Sequence, residues 1–268
     1  MAGRAARTIY QFPISHFAEK ARWCLDAKGL PYTVKNLVPG PHVLVARWLS
    51  GNQTVPVLVD GGATLGDSTA IALHLERAYP LPPLLPRDPS ARARVLALEE
   101  ELDERVGQNA KRFLYGRLME EGPGRASGAL MEAYPWPVRL FGRLLASTTE
   151  PIMQSREGID AGSVARARAA LIEGAARIEE ETGGDPSRYL VGDTLTLADI
   201  TAASLLGPIV APPESPWARI PSALPLDVQA LRRELRARPG GQWVMERYRR
   251  DRSRPSARRT EGGYPART

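Results

Sequence analysis

The fold of this chain is indicated by the sequence Thr54-Val55-Pro56-Val57-Leu58 and, about ten residues later, by Gly66-Asp67-Ser68-Thr69-Ala70-Ile71. A proline that follows a β-branched residue and precedes apolar residues predicts the start of a strand, and its X–Pro bond is a candidate for the cis form. The second segment predicts a helix N-terminus, whose N–H groups and positive dipole end can hold a carboxylate. Together the two segments predict a site for a small anionic peptide.

The residues around these segments predict a mixed α/β domain. Short strands are expected at Ile9–Phe12, at Tyr32–Val34 with Leu37 and Val38, at Val57–Val59 and at Ala63–Leu65. A helix is expected between the first two strands, with Phe17, Ala21, Cys24, Leu25 and Lys28 on one mostly apolar face and with Ser15 in the turn before it. Another helix is expected over about Thr69–Tyr79. The predicted order is βαβ, then a hairpin, then a helix.

This arrangement resembles the thioredoxin-like domain of cytosolic glutathione transferases. The resemblance rests on Val55-Pro56, on Asp67-Ser68 with Ala70-Ile71, and on the run from Ser15 to Trp23. The spacing from Tyr10 to Ser15 is similar to the serine-type branch, which includes theta-like and zeta-like enzymes. The resemblance implies an α/β thioredoxin-like domain followed by an all-α domain, with glutathione as co-substrate and a homodimeric assembly.

The resemblance also implies roles for individual residues. Ser15 would activate the glutathione thiol, with Tyr10 as the rival hydroxyl. The backbone of Val55, beside Pro56, would pair with the cysteinyl unit, while Ser68 and Asp67 would bind the carboxylate and ammonium groups of the glutamyl end. Contacts to the glycyl end are assigned to His42 and Gln53.

Each of these residues has a simpler structural explanation. Ser15 and Asp67 are residue types that cap helices without any ligand, and Gln53 suits an exposed loop. His16 could tune the thiol or simply pack, and His74 falls inside a predicted helix. For Ser15 the sequence alone favours the capping role, and the family resemblance reverses this preference. In the role that the resemblance implies, Ser15 would stabilise the thiolate, the reactive form of glutathione, whose negative sulfur needs a hydrogen-bond donor and positive potential.

The second half of the chain is predicted to be helical. Helical periodicity occurs at Ala91–Leu118, Val164–Thr182 and Trp243–Tyr248, and Thr196 with Asp199 forms a capping-box pattern. We therefore expect a thioredoxin-like domain at 1–80, a proline-rich linker at 81–90 and an all-α domain at 91–248. Phe113, Tyr115 and Met119 are candidates to line the pocket of the second substrate, against a simple core role.

The net charge of +6 comes from the end of the chain. Residues 247–268 hold eight arginines and two acidic residues, while the rest balances at 28 basic against 28 acidic residues. Residues 249–268 are predicted to form a disordered Arg-rich tail. Contact with nucleic acid or an anionic membrane is the alternative role, but the tail lacks the aromatic interleaving of a specific nucleic-acid site.

Several function classes are not supported by the sequence. Cys24 is the single cysteine, so no internal disulfide is expected, and no histidine pair has metal-ligand spacing. No stretch is long and apolar enough for a membrane span, which predicts a cytoplasmic protein. The expected function is a glutathione transferase-like enzyme that joins the thiol to a small electrophile, or a related isomerase or dehalogenase.

Two alternatives remain open at this point. The first is a non-catalytic module that keeps the transferase fold for binding or interaction, since Asp67 replaces the glutamate of many relatives and the middle of the chain diverges. The second alternative is a thiol co-substrate other than glutathione, because the high content of Ala, Arg, Gly and Pro is typical of GC-rich genomes. Some bacteria with such genomes use other low-molecular-weight thiols.

Overall fold

The structure is a computed structural model that describes residues 7–144, 146–219, 224–252 and 258–260. The chain divides into two compact units between Leu84 and Leu85. The amino-terminal unit holds the residues up to Leu84 together with the strand Arg258–Thr260, and the helical unit follows from Leu85. The mixed sheet with helices, followed by an all-helical unit, confirms the predicted fold class.

The amino-terminal unit alternates short strands and helices. Its elements are β1 (Thr8–Gln11), α1 (His16–Ala27), β2 (Tyr32–Asn36), α2 (His42–Ser50), β3 (Val57–Asp60), β4 (Ala63–Leu65), α3 (Ser68–Ala78) and β5 (Arg258–Thr260). Helix α1 packs against α3. Their common core holds Ile9, Trp23, Leu58 and Ile71, all at most 1% exposed.

The predicted order of elements was wrong in one respect, because α2 lies between β2 and β3. This helix begins at His42 after Pro41, which makes no side-chain capping bond, and its first turn has no acidic residue. Because the usual polar start signal is absent, the apolar run from Val43 to Leu49 gave no sign of a helix N-terminus.

The sheet has the strand order β4-β3-β1-β2-β5. Strand β1 runs parallel to β2 and antiparallel to β3, which in turn pairs antiparallel with β4. Strand β5 adds to the edge of β2 in parallel, with Thr33 opposite Arg259. The sheet therefore has one more strand than the sequence predicted.

The helical unit is built around one completely buried helix. Its helices are α4 (Pro89–Leu102), α5 (Gln108–Glu120), α6 (Arg125–Met131), α7 (Trp136–Leu144), α8 (Ala146–Glu157), α9 (Ala161–Thr182), α10 (Leu197–Val210), α11 (Leu226–Ala237) and α12 (Pro239–Asp251), with a π-helical turn at Asp103–Gly107 and a 3-10 turn at Pro216–Arg219. All residues of α10 are buried, and α4, α9, α11 and α12 pack against it. This central helix supplies the core of the unit.

Polar groups fix both ends of the central helix α10. At its start Thr196 is the N-cap, and the Asp199 carboxylate accepts hydrogen bonds from the backbone N–H groups of Thr196 and Leu190. At its end the guanidinium groups of Arg232 and Arg236 donate to the carbonyl oxygens of α10, at 2.8 Å and 2.7 Å for their Nε atoms. Positive charge at a helix C-terminus is favourable because it opposes the negative end of the helix dipole.

The predicted disordered tail at 249–268 starts too early. Helix α12 continues through Asp251, and the Arg249 guanidinium binds both carboxylate oxygens of Glu246. Asp251 accepts a hydrogen bond from the Tyr189 hydroxyl, and the strand Arg258–Thr260 pairs with β2. Composition alone did not reveal these contacts, because their partners lie far away in the sequence. Residues 253–257 and 261–268 lie outside the described residues.

Among the helices in the described part of the chain, none combines the length and apolar character that crossing a membrane requires.

Candidate functional site

The strand register brings four segments of the amino-terminal unit to one end of the sheet. Tyr10 lies opposite Val57 in the antiparallel β1–β3 pair, so the residues that follow β1 lie beside those that precede β3. In the antiparallel β3–β4 pair, Leu58 lies opposite Leu65, so the residues that precede β3 also lie beside those that follow β4. Because β2 runs parallel to β1, the residues after both strands leave at this end too. Segments 12–15, 37–42, 53–56 and 66–68 therefore meet there.

Ser15 is the N-cap of α1. Its Oγ accepts a hydrogen bond from the Ala18 N–H at 3.2 Å, and its own N–H donates to the Phe12 carbonyl oxygen at 3.2 Å. A hydroxyl has two lone pairs and one O–H, so the cap uses an acceptor position and leaves the donor for a ligand. Capping and thiol binding by Ser15 are therefore compatible, and the side chain is only half-buried.

The rival hydroxyl of Tyr10 has a different environment. Side chains alternate along a strand, so Tyr10 lies on the sheet face opposite that of Ile9 and Gln11. Gln11 is bound by Arg22 of α1, which assigns α1 to the Gln11 face, whereas the Tyr10 ring lies 5.5 Å from Lys35 Nζ. The structure therefore does not bring Tyr10 together with Ser15.

The Val55–Pro56 peptide bond is cis, as the sequence predicted. Val55 is half-buried and Pro56 is buried, while Gln53 is exposed. The loop that carries these residues is held by Asn52, whose side-chain amide donates to the Gly66 carbonyl oxygen at 3.2 Å. A Cβ atom at Gly66 would lie 2.5 Å from Ser50 Oγ, so this close approach requires glycine.

Asp67 and Ser68 form the start of α3. Asp67 is the exposed N-cap, and its Oδ1 accepts a hydrogen bond from the Ala70 N–H at 2.8 Å. Ser68 is only 2% exposed. One carboxylate oxygen of Asp67 caps the helix, and a carboxylate has lone pairs to accept further donors. The first turn of α3 thus presents N–H groups and the positive end of the helix dipole, with the Asp67 carboxylate beside them.

His42 lies at the start of α2, close to the same end of the sheet. Its Nδ1 accepts a hydrogen bond from the Gly40 N–H at 3.1 Å, and its ring lies edge-on to Phe12 with centroids 4.7 Å apart. His16 is 6% exposed and its ring lies 4.4 Å from that of Phe17. His74 is tied instead to Asp60, at 3.0 Å, which agrees with its predicted structural role.

Buried charged side chains of α1 were missed by the sequence analysis. Lys20 is fully buried, and its Nζ donates to the Thr69 hydroxyl of α3 at 2.9 Å. Arg22 is bound by Glu19 at 3.0 Å and by the side-chain oxygen of Gln11. Charged residues are usually exposed, and the Lys20–Thr69 pair is 49 residues apart in sequence, so neither composition nor spacing signalled this contact.

The residues suggested for a second-substrate pocket differ in their surroundings. Phe113 is fully buried in the helical unit, with the Arg117 guanidinium 5.8 Å from its ring centre, which makes it a core residue. Burial and the nearby charge of Glu157 raise the pKa of the Tyr115 phenol, which keeps the hydroxyl protonated. Met119 is half-buried. Cys24 is buried in α1 and forms no disulfide.

No group of three or more His, Cys, Asp or Glu side chains that could hold a metal ion occurs among the described residues.

Comparison with known proteins identifies the amino-terminal domain. Residues 9–83 match the family model for the glutathione S-transferase N-terminal domain. The chain is 38% identical over 95 residues to Glutathione S-transferase Z1 of Arabidopsis thaliana, a match that covers 34% of this chain and 43% of that protein. The fold and the site thus define a glutathione S-transferase N-terminal domain. The resemblance is thereby confirmed for residues 9–83.

Two further matches cover more of the chain. It is 25% identical over 215 residues to FtsZ-localized protein A of Caulobacter vibrioides, which covers 79% of this chain and 80% of that protein. The solved structure of glutathione transferase GSTFuA3 from Phanerochaete chrysosporium superimposes with a TM-score of 0.59 at 20% identity, covering 91% of this chain and 96% of that one. By contrast, the chain spans about two fifths of the length of three curated glutathione S-transferases that it matches.

Proposed function

We propose that this protein is a glutathione-dependent enzyme that activates the thiol for attack on a small electrophile. The observation that carries the proposal is the position of Ser15, a half-buried helix cap whose O–H is available for donation, at the same end of the sheet as Val55-Pro56 and Ser68. An enzyme that activates the glutathione thiol needs three elements: a hydrogen-bond donor to the sulfur, a backbone segment that pairs with the peptide, and an anion site at a fixed distance from that donor.

In the proposed complex each part of glutathione has its own contact. The glutamyl carboxylate lies at the first turn of α3, where it accepts from the Ser68 N–H and hydroxyl, and the glutamyl ammonium group lies against Asp67. The cysteinyl backbone pairs with Val55, next to the cis-proline Pro56. The glycyl carboxylate extends toward His42 and Gln53. These contacts fix the sulfur near Ser15.

The proposed reaction has two steps. The glutathione thiol first loses its proton to solvent, and the resulting thiolate accepts a hydrogen bond from the Ser15 hydroxyl while the positive end of the α1 dipole stabilises its charge. The sulfur electron pair then forms a bond to the electrophilic carbon. A leaving group departs with its bonding electrons, or a proton is added in an addition reaction. Ser15 acts as a hydrogen-bond donor and never gives up its own proton.

We also propose that the protein works as a cytoplasmic homodimer, which is the assembly and location expected from the family resemblance. The predicted domains, a glutathione-binding domain at 1–80 and an all-α domain at 91–248, belong to the same proposal. The electrophile would be small, and neither nucleic acid nor a membrane is part of the proposed cycle.

A second candidate is a non-catalytic interaction module. The match to FtsZ-localized protein A extends over 79% of the chain, whereas the match to Glutathione S-transferase Z1 extends over 34%. In addition, α2 carries Leu44 and Trp48 one turn apart, and they are 74% and 84% exposed. Large exposed apolar side chains are typical of protein contacts. This candidate predicts weak or absent binding of glutathione.

The ultraviolet absorbance of the thiolate separates these two functions. Reduced glutathione would be added to the protein at neutral pH, and the difference spectrum would be followed during a pH titration. The enzyme predicts that bound thiol ionises at a lower pH than free glutathione. Bound glutathione with an unchanged thiol pKa would contradict thiol activation, and the absence of binding would favour the interaction module.

A further inference from the structure

Lys20 has an unusual position for a lysine. It lies in the middle of α1, its side chain is fully buried, and its Nζ donates a hydrogen bond to the Thr69 hydroxyl at 2.9 Å. Thr69 is the second residue of α3 and directly follows Ser68. The contact therefore joins the body of α1 to the first turn of α3, which is the proposed binding site of the glutamyl carboxylate.

Lys20 carries a charge in a completely buried position, which a purely packing role does not require. Moving an ammonium group out of water costs several kcal/mol. Replacement of buried charges by apolar side chains of similar volume is often neutral or stabilising. A site that served only the α1–α3 packing would be filled as well by methionine or leucine. The hydrogen bond to Thr69 places the ammonium group beside the α3 terminus.

Two physical effects of Lys20 act on that terminus. The hydrogen bond orients Thr69, and through the backbone it fixes the direction of the Ser68 N–H and hydroxyl. The positive charge adds to the positive end of the α3 dipole, which favours an anion at the first turn. Both effects strengthen the binding of a carboxylate, and neither involves the thiol end of the ligand.

We propose that Lys20 is a positioning residue for glutathione binding, which acts through Thr69 on the glutamyl-carboxylate subsite at the start of α3. This inference rests on the proposed function. In this proposal Lys20 increases the affinity for glutathione and the preference for ligands that carry a γ-glutamyl group. Lys20 takes no part in the chemical step. A loss of Lys20 should therefore raise KM for glutathione and leave kcat almost unchanged.

The test compares four single variants and the double variant Lys20→Met/Thr69→Val. Titration calorimetry and steady-state kinetics are measured with reduced glutathione and with cysteinylglycine, which lacks the glutamyl unit. Lys20→Met removes the charge, Thr69→Val removes the hydroxyl at constant shape, and Thr69→Ser restores the hydroxyl. The matched control is Lys28→Met, since Lys28 is also a buried lysine, directly follows α1, and forms an ion pair with Glu76 at 2.7 Å. Circular dichroism and thermal unfolding would report the folding of each variant.

The expected results follow from the geometry. Lys20→Met should weaken glutathione binding roughly tenfold, the effect of losing one charge near a helix N-terminus in a partly buried site. Thr69→Val should weaken it several-fold, and Thr69→Ser should restore it. The double variant should bind glutathione no more weakly than Lys20→Met alone, since each of the two changes removes the same Lys20–Thr69 hydrogen bond. Binding of cysteinylglycine should not change in any variant.

The possible failures are distinguishable. If the unmutated protein does not bind glutathione, the proposed function is wrong, and the role of Lys20 is wrong with it. If the unmutated protein binds glutathione but Thr69→Val and Lys20→Met bind it as tightly as Lys28→Met does, the positioning role alone is wrong. If Lys20→Met does not fold, the Thr69→Val and Thr69→Ser pair decides, because an unchanged affinity in both would overturn the inference.

Discussion

The Asn52 side-chain amide donates to the Gly66 carbonyl oxygen at 3.2 Å, and this contact ties the loop before Val55-Pro56 to the start of α3. The two segments carry different parts of the proposed glutathione site, one for the cysteinyl backbone and one for the glutamyl carboxylate. Their separation must match the length of the ligand. The Asn52–Gly66 contact is therefore a determinant of the site and not only of the fold.

Substitution Gly66→Ala should disturb the site more than the fold. The added Cβ would lie 2.5 Å from Ser50 Oγ and 2.7 Å from Asn52 Nδ2, so the loop would have to move away from α3. We expect a loss of glutathione affinity on the order of tenfold, with about 1–3 kcal/mol of destabilisation from overpacking. Calorimetry and urea unfolding would measure the two effects.

The matched control is Gly62→Ala. A Cβ at Gly62 meets nothing within 4 Å, so affinity and stability should change little. Equal affinity losses in both variants would show that the close approach at Gly66 has no special importance for binding.

Substitution Ser15→Ala should lower turnover with little effect on glutathione binding. The proposed mechanism loses its hydrogen-bond donor to the sulfur, which should reduce kcat on the order of a hundredfold. The lost N-cap should also cost about 1 kcal/mol of stability. Steady-state kinetics with glutathione and an aryl halide would test the effect on kcat, with Tyr10→Phe as the comparison. Turnover that depends on Tyr10 and not on Ser15 would reverse the assignment.

Asp199 should make the helical unit sensitive to pH. Burial raises the pKa of Asp199 to about 6, although the hydrogen bonds from Leu190 and Thr196 act in the opposite direction. Because the pKa in the folded state lies above the ordinary aspartate value of 3.8, folding favours the protonated form. The resulting stabilisation is fully present below about pH 4 and is lost as the pH rises through about 6.

Urea unfolding between pH 4 and pH 7 would measure this effect, for which the pKa shift predicts about 3 kcal/mol. The comparison is Asp199→Asn, which has no titratable group at this position. In this variant the N–H groups of Leu190 and Thr196 face an amide in place of the carboxyl group. We expect this variant to be less stable by about 1–3 kcal/mol and to lack the pH dependence between 4 and 6. An identical pH profile in both proteins would contradict the assignment to Asp199.

Asp60 should contribute far more stability than an exposed acidic residue. Its carboxylate accepts from the Tyr79 hydroxyl at 2.8 Å, from His74 Nε2 at 3.0 Å, and lies 3.0 Å from Arg7 Nε, with all but 4% of its side chain buried. Removing one partner of a buried ion pair typically costs about 3–5 kcal/mol. We expect Asp60→Asn to approach this range in a urea denaturation experiment.

The control for Asp60 is Asp227→Asn. Asp227 pairs with Arg117 at 3.3 Å, but its side chain is 62% exposed, so its loss should cost less than about 1 kcal/mol. Similar losses in the two variants would mean that burial does not set the strength of these pairs.

Local sequence signals predicted the parts of the fold that depend on neighbouring residues. The starts of α1 and α3 could be placed because Ser15 and Asp67 cap their own helices, within three residues of the N–H groups they accept from. The cis bond before Pro56 was also predictable from its context. The start of α2 was not, because Pro41 offers no side-chain cap.

Features that depend on distant residues could not be predicted. The sequence predicted a place on the apolar helix face for Lys28 and no role for Lys20. Both lysines are buried, with partners about 50 residues away in Glu76 and Thr69. Strand β5 pairs with β2 across more than two hundred residues of sequence. No periodicity or capping rule reports such pairs, because they are set by tertiary packing.

The most direct test of the central claim is the titration of the purified protein with reduced glutathione in a calorimeter, repeated with Ser68→Ala. The matched control is Ser155→Ala, since Ser155 is exposed on α8 in the helical unit. The proposed site predicts measurable binding to the unmutated protein and to the control, and affinity about tenfold weaker in Ser68→Ala, which loses a hydrogen bond to a charged group. Binding that is absent, or that is equally strong without the Ser68 hydroxyl, would contradict the placement of the glutamyl carboxylate at the start of α3.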